Sequence, residues 1–121
     1  MDSNLLSDWL TYINSNRPNE GEFGLDRLQS IFSKIVKKSL GKKTILVGGT
    51  NGKGTTVEYL KNFLLEAGYT TGTYTSPHLI QFNERIQVNG NHVDDTRIVN
   101  AFKKIQKLKE FLKVRKALRL L

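Results

Sequence analysis

Residues 44–56 read TILVGGTNGKGTT, and this stretch decides the predicted fold. The aliphatic and β-branched run at 44–47 has no polar alternation, which predicts a strand buried on both faces of a parallel sheet. Glycines follow it directly, and apolar residues at helical spacing resume at Val57 and continue until Gly68, which is placed to end the helix. Because the Thr- and Tyr-rich residues 69–75 then predict a second strand, the region is typical of a βαβ unit.

The glycine loop has the composition of a phosphate-binding cradle. Gly49 and Gly52 can adopt backbone angles closed to other residues, so consecutive N–H groups can point at phosphate oxygens where a helix begins. Lys53 adds a cation able to reach the β- and γ-phosphates, and a hydroxyl of Thr55 or Thr56 can ligate the accompanying magnesium ion. A tight turn alone would explain one of the glycines but not the lysine and the threonines. The predicted phosphate-binding residues are Gly49, Thr50, Asn51, Gly52, Lys53, Gly54, Thr55 and Thr56, and loss of Lys53 should weaken the site most.

The loop departs from the general phosphate-loop pattern G-x-x-x-x-G-K-[ST]. Val47 stands where the first glycine is expected, and Gly54 stands where the hydroxyl residue is expected. Residues 49–55 instead resemble the phosphate loop of the Mur ligase superfamily, and the Lys-Gly-Thr order within them favours the folate branch of that superfamily. This resemblance explains the unusual glycine positions.

Two further segments resemble the same branch, the folylpolyglutamate synthase/dihydrofolate synthase family. The sequence Thr-Ser-Pro-His-Leu occupies 75–79 and Asn-Glu-Arg-Ile occupies 83–86, in the order and at the spacing of the family. Phe-Gly-Leu-Asp-Arg-Leu at 23–28 also resembles the family's early helix entry. The resemblance therefore covers about residues 5–108, which is nearly the whole chain.

The resemblance implies a fold, an activity and two cofactors. The implied fold is α/β: an incomplete P-loop, Mur-ligase-like parallel-sheet domain with flanking helices and a small β-hairpin. Family members use ATP and Mg²⁺ to phosphorylate a carboxylate of dihydropteroate or of a folate's glutamyl tail, and the amino group of L-glutamate then displaces the phosphate to form an amide bond. The chain is thus expected to belong to an ATP-dependent amide ligase, with another Mur-type peptide ligase as the closest alternative.

The same resemblance places residues around the phosphate loop. It implies that Lys53 stabilises charge during phosphoryl transfer, and that Thr55 and Ser76 lie near Mg²⁺, with Ser76 as a metal ligand. The loop 77–85 corresponds to the mobile family loop beside the phosphate and folate sites. Its predicted substrate-loop residues are Pro77, His78, Asn83, Glu84 and Arg85.

Two of these assignments leave alternatives open. His78 either touches substrate or, as the favoured interpretation, supports the loop. Glu84 and Arg85 form either a pair that contacts ligand or a structural ion pair with each other. His92, in the predicted hairpin, is interpreted as an ordinary surface residue.

The rest of the chain predicts helices and one hairpin. Ser3 is placed to cap a first amphipathic helix, and a second helix begins near Gly24. Asn89 and Gly90 stand between two short β-type runs, which predicts a two-residue hairpin turn. Asp95 and its neighbours can start a last helix, since acidic residues suit the positive end of a helix dipole.

Composition bounds the setting and the partners. A length of 121 residues suits one domain, and 38% hydrophobic with 25% charged residues is an ordinary globular balance. The lack of cysteine excludes disulfides, thiol catalysis and cysteine-ligated metals. The first residues do not resemble a targeting segment, so we expect a cytoplasmic protein. The family resemblance implies a protein that is monomeric at full length and acts on small molecules, namely folate or dihydropteroate and L-glutamate. We expect no membrane or nucleic-acid partner.

The net charge of +8 is concentrated at the end of the chain, because residues 103–121 hold eight of the 19 Lys and Arg against one acidic residue. We expect 1–110 to be the amino-terminal part of the ATP-binding central domain and 111–121 to be a basic tail without a family counterpart, as a non-native extension or truncation product. A non-enzymatic nucleotide- or nucleic-acid-binding remnant that uses this tail is the alternative from another class.

Two major strands are few for a parallel sheet, so the chain alone is expected to be marginally stable, to expose apolar faces and to lack ligase activity.

Overall fold

The computed structural model describes residues 1–16, 26–35 and 43–118. Their order of elements is α1 (Leu6–Ser15), α2 (Asp26–Ile35), α3 (Lys53–Glu66), β1 (Gly72–Tyr74), a 3₁₀ helix (Phe82–Arg85), β2 (Ile86–Val88), β3 (Asn91–His92) and α4 (Asp95–Leu118). The chain divides into two compact units, one formed by Met1–Lys43 with Thr96–Leu121 and the other by Thr44–Asp95. The second unit contains the glycine loop and all the predicted site residues.

The first unit has a small core around one tryptophan of α1. The ring of Trp9 stacks on that of Phe102 with 5.8 Å between centroids, and its indole N–H donates to the carbonyl of Ser3 at 3.0 Å. Burying the apolar body of the ring while pairing its polar N–H satisfies both halves of the side chain. The other buried apolar residues of this unit are Leu6, Ile98 and Val99.

Both amino-terminal helices occur where apolar periodicity predicts them, with one difference at the first. Leu5, rather than Ser3, occupies the N-cap of α1. The Ser3 hydroxyl instead accepts the N–H of Leu5 at 3.0 Å and donates to the Asp8 carboxylate at 2.6 Å, which orders the residues just before the helix. The predicted start of the second helix near Gly24 lies outside the described residues.

Helix α3 begins and ends as the sequence predicts. It starts at Lys53, directly after Gly52, and its last turn is closed by Gly68 with φ +79°. The N–H of Gly68 donates to the Leu65 carbonyl and the N–H of Tyr69 to the Leu64 carbonyl, each at 2.9 Å. This pair of bonds is the Schellman arrangement, which satisfies two carbonyls that the helix end would otherwise leave unpaired.

The predicted hairpin is also confirmed. Strands β2 and β3 pair antiparallel, and Asn89 and Gly90 both have positive φ, +49° and +78°. Two positive φ values in a two-residue connection are the type I′ geometry that matches the twist of a hairpin. The Asn89 side-chain oxygen additionally accepts the N–H of Thr71 at 2.9 Å, which fixes the turn against the residue before β1.

We expect Gly90→Ala to lower the free energy of unfolding of the chain by about 1–2 kcal/mol, because an L side chain is strained at φ +78°. The added methyl group itself would meet Leu65 at an ordinary contact distance of 3.4 Å, so backbone strain dominates the effect. Urea denaturation followed by circular dichroism measures the change. Gly72→Ala is the matched control, since φ there is not positive and the space around it is open; equal stability of the two variants would contradict the expectation.

The predicted parallel pairing of two strands is wrong for the described part of the chain. Its sheet has the order β1-β2-β3 and is antiparallel throughout, with Thr73 opposite Gln87. Residues 44–47 are assigned to no strand, and Ile45 and Leu46 within them are 59% and 96% exposed. A buried strand needs neighbours that pair its backbone and cover both its faces, and the described residues provide neither.

Apolar side chains of α3 and β1 are exposed, in agreement with the expectation that the chain alone exposes apolar faces. Tyr59 and Phe63 on α3 are 63% and 70% exposed, and Tyr74 on β1 is 67% exposed.

Helix α4 begins at Asp95, as predicted, and continues to Leu118, so the basic segment is helical beyond residue 110. None of the helices in the described ranges combines the length and the apolar character needed to cross a bilayer.

Candidate functional site

The glycine loop leads into α3 through two residues with positive φ. Gly49 has φ +151° and Gly52, at the N-cap of the helix, has φ +77°. The Gly52 carbonyl accepts the N–H of Thr56 at 2.9 Å, which starts the helical hydrogen bonding. The N–H groups of the first helical turn precede that ladder and carry the positive end of the helix dipole, which is the usual arrangement for binding an anion.

Lys53 lies over its own loop. Its ammonium group donates to the carbonyl of Gly49 at 2.6 Å and to that of Thr50 at 3.2 Å. A mobile side chain with three donors can keep these contacts and still present a donor to an incoming phosphate. The predicted cation is therefore at the loop, as the sequence indicates.

The two threonines of the first helical turn differ in their surroundings. The Thr56 hydroxyl donates to the Gly52 carbonyl at 2.9 Å, so it is directed to its own backbone. Thr55 lines a shallow depression of about 490 Å³ together with Gly54, Glu58 and Asn62. Thr55, and not Thr56, lines this depression.

A second cleft of about 390 Å³ brings the two main sequence motifs together. The loop residues Thr50, Asn51, Gly52, Lys53 and Gly54 line one side of it. Ser76 and Pro77 line it as well, together with Leu79. Thr55 and Ser76, the two predicted metal-binding residues, line different depressions. Among the described residues no group of three or more carboxylate, histidine or cysteine side chains could hold a metal by itself.

Glu84 organises the loop at 77–85 by binding backbone N–H groups. Its carboxylate accepts the N–H of Leu79 at 2.7 Å, of Ile80 at 2.8 Å and of Gln81 at 2.7 Å. These bonds, that from Leu79 first, favour the ionised form and lower the pKa of Glu84 from its usual 4.5 to about 2. The carboxylate therefore stays charged, and the loop stays capped, throughout the physiological pH range.

Arg85 and His78 form a second contact across the same loop. The Nε–H of Arg85 donates to His78 Nδ1 at 2.8 Å, and the guanidinium lies 5.4 Å from the centroid of the Phe82 ring. His78 thus supports the loop, which is the interpretation the sequence favours. The alternative of a structural ion pair between Glu84 and Arg85 is wrong, because each side chain has a different partner.

Asn83 has a structural role that sequence reasoning missed. It is 8% exposed, and its amide donates to the Val93 carbonyl at 2.7 Å and to the Asp95 carboxylate at 2.8 Å. These bonds tie the loop to the end of the second unit. The family motif singled out Asn83 together with Glu84 and Arg85, but nothing in the local sequence indicates which of the three side chains is buried.

Lys61, also missed by sequence reasoning, lies beside the cleft. It is only 7% exposed and contacts Glu58 and Gln87, both of which line the cleft. The helical spacing of α3 could have placed Lys61 on the buried face of the helix. A lysine among apolar residues is not by itself a sign of burial, so the sequence did not single it out. His92, in contrast, is an exposed residue of β3, as predicted.

A glycine loop at a helix N-terminus, its lysine and a facing Ser-Pro segment place the chain in the class of α/β proteins with a phosphate-type anion-binding loop. No family model matches the sequence. The dihydrofolate synthase/folylpolyglutamate synthase of Haemophilus influenzae is 39% identical over 90 residues, which cover 74% of this chain and 21% of that protein.

Solved structures give the same assignment. The Yersinia pestis bifunctional folylpolyglutamate synthase/dihydrofolate synthase complexed with AMPPNP and Mn ion matches 88% of this chain and 27% of its own, with a TM-score of 0.82 and 31% identity. Escherichia coli FolC in complex with DHPP and ADP matches 88% of this chain and 26% of its own, with a TM-score of 0.81 and 30% identity.

Over the residues that align, the chain matches the folylpolyglutamate synthase/dihydrofolate synthase family in sequence and in structure, and the α/β, Mur-ligase-like fold class is confirmed. It spans about a fifth of the length of the curated relatives it matches.

Proposed function

We propose that this chain supplies the ATP-phosphate-binding part of a ligase that adds L-glutamate to folate or to dihydropteroate. One observation carries the proposal: the glycine loop with Lys53 and the segment with Ser76 line a single cleft at the amino end of α3. The match to this family supports the reaction class, and the nucleotides held by two solved relatives support ATP as the energy source. No observation favours a peptide-building Mur-type ligase or a nucleic-acid-binding role.

The residues of the chain would act mainly by positioning and neutralising charge. In this reaction a carboxylate attacks the γ-phosphate of ATP, ADP leaves, and the amino group of glutamate then displaces phosphate from the acyl phosphate. Backbone N–H groups of 49–54 would hold the phosphates, and Lys53 would offset negative charge on the transferring group. Positioning and electrostatic stabilisation account for most of the catalysis of phosphoryl transfer.

Magnesium would enter as part of the nucleotide substrate. Mg²⁺ prefers oxygen ligands and keeps several waters, so one or two protein ligands with phosphate oxygens suffice. The Ser76 and Thr55 side chains provide hydroxyl oxygens of this kind next to the loop. We assign Ser76, which shares the cleft with Lys53, the closer contact.

Other parts of the proposal concern the loop and the whole protein. Pro77 lines the cleft. Asn83, Glu84 and Arg85 would act indirectly, by fixing the loop beside the cleft, with His78 as the partner of Arg85. Residues 1–110 would form the amino-terminal part of the ATP-binding domain, with 111–121 as a basic extension. A cytoplasmic, monomeric enzyme without a nucleic-acid partner fits this activity.

The test is ATP binding by the purified 121-residue chain, measured by isothermal titration calorimetry with Mg²⁺ and again with EDTA. We expect binding that Mg²⁺ strengthens, and Ser76→Ala should lose about three- to tenfold in affinity in Mg²⁺ while matching the wild type in EDTA, because one oxygen ligand is removed. Ser7→Ala, which changes an exposed serine of α1, is the control. A chain with no affinity for ATP would contradict the proposal.

A further inference from the structure

The buried lysine of α3 has a contact set that phosphate binding as described above does not use. Lys61 is 7% exposed, a rare environment for an ammonium group, which must find charged or polar partners there. Its Nζ donates to the carboxylate of Glu58 and to the side-chain oxygen of Gln87, the latter at 3.1 Å. The contact joins α3 to β2 at a point where both elements border the phosphate cleft.

Glu58 puts a negative charge in the wall of a cleft that is otherwise suited to anions. Its side chain is 55% exposed and lines the same cleft as Lys53 and Ser76. It stands five residues beyond Lys53, or about 7.5 Å along the helix axis at the usual rise per residue. Because the Debye length is about 8 Å at physiological ionic strength, an unpaired carboxylate in the wall of this cleft would repel a polyphosphate bound beside it.

Lys61 is placed to cancel this repulsion. Its ammonium contacts the carboxylate directly, and Gln87 fixes the ammonium from the other side, so the pair adds no net charge to the cleft wall. Burial restrains the lysine from swinging into the cleft and competing with Lys53. The two lysines therefore have different roles: Lys53 is available to the ligand, and Lys61 pairs with Glu58.

We propose that Lys61 is a positioning residue of the phosphate cleft, which neutralises Glu58 and thereby allows a highly charged nucleotide to bind. This inference rests on the proposed ATP-binding function. It makes two claims that a purely structural lysine would not meet: loss of Lys61 should weaken binding more for ATP than for AMP, and removal of the Glu58 charge should restore it.

The experiment is a double-mutant cycle on nucleotide affinity, measured by titration calorimetry in Mg²⁺. The titrations are made at about 50 mM salt, where screening is weak, and at about 300 mM salt, where it is strong. Lys61→Met should weaken ATP binding about five- to tenfold at low salt and AMP binding about twofold or less, because the repulsion grows with ligand charge. The variant Glu58→Gln with Lys61→Met should recover to within about twofold of wild type, since the charge is gone from both partners. Lys104→Met, which removes an exposed cation of α4, is the matched control.

Circular dichroism shows whether Lys61→Met folds. If it does not, Glu58→Gln alone still tests the proposed repulsion, because this variant removes the negative charge and keeps an acceptor for Lys61. It should bind ATP as tightly as wild type or up to about threefold more tightly, because it removes a like charge. Weaker Mg²⁺-dependent binding by this variant would instead make Glu58 a metal contact and overturn the proposal. A double variant as weak as Lys61→Met would also overturn it, since the lysine would then act through packing.

The outcomes separate this inference from the proposed function. If the wild type binds ATP and Lys61→Met binds it equally well, only the role of Lys61 is refuted. If the wild-type chain has no affinity for ATP, both proposals fall together. Neither result depends on ligase turnover.

Discussion

Replacing Lys53 with alanine is expected to weaken ATP binding by the chain by about one to two orders of magnitude, because a hydrogen bond to a charged group contributes about 1.5–3 kcal/mol. Among the lysines with described side chains, Lys53 is the one that bonds the glycine loop itself, through the carbonyls of Gly49 and Thr50. Its ammonium is thus already at the loop that would hold the phosphates. Calorimetric titration with ATP in Mg²⁺ measures the loss.

Two comparisons separate a ligand contact from a structural effect. The thermal midpoint of Lys53→Ala without nucleotide should stay close to that of wild type, since exposed polar contacts contribute little to stability. Lys107→Ala, an exposed lysine of α4, should keep the wild-type affinity. Unchanged ATP binding by Lys53→Ala would remove the lysine from the phosphate site and with it the main support for the proposed function.

The features that sequence reasoning predicted correctly are those fixed by local backbone chemistry. Gly52 and Gly68 delimit α3, and Asn89 with Gly90 sets the hairpin, because each position needs a positive φ that few residues tolerate. The clustering of the glycine loop with Ser76 was also predictable, though from the spacing of two family motifs rather than from periodicity. The glycine and asparagine signals lie within a few residues of the structure they specify, whereas the clustering with Ser76 was available only through the family motifs.

The features that failed depend on partners distant in sequence. An aliphatic run such as 44–47 becomes a buried strand only where other strands and helices cover it, and the described residues leave Leu46 exposed. The burial of Lys61 depends on Gln87, which is 26 residues away. The separate partners of Glu84 and Arg85 likewise follow from how the loop closes, which adjacency in sequence does not specify.

Replacing Glu84 with glutamine is expected to loosen the loop at 77–85 and to raise the exchange of the Leu79, Ile80 and Gln81 amide protons by at least about tenfold at pH 7. One carboxylate oxygen accepts the N–H of Leu79, and the other accepts the N–H groups of Ile80 and Gln81. Glutamine has an NH₂ group in place of one of these oxygens, so at either position a donor would meet a backbone donor and a hydrogen bond would be lost. Hydrogen exchange followed by mass spectrometry or NMR measures this. Glu66→Gln, at the exposed end of α3, is the matched control.

The pH dependence of the wild-type loop follows from the same three bonds. Because folding lowers the pKa of Glu84 from 4.5 to about 2, its stabilisation of the loop is complete above pH 4.5 and is lost as the pH falls from there toward 2. The amide proton shifts of residues 79–81 should therefore titrate together with a midpoint near 2. A midpoint near 4.5, or exchange in Glu84→Gln equal to that of the control, would mean that the carboxylate does not hold these amides. Because Leu79 lines the cleft, the cap would then lose its role in shaping the surface beside the phosphate loop.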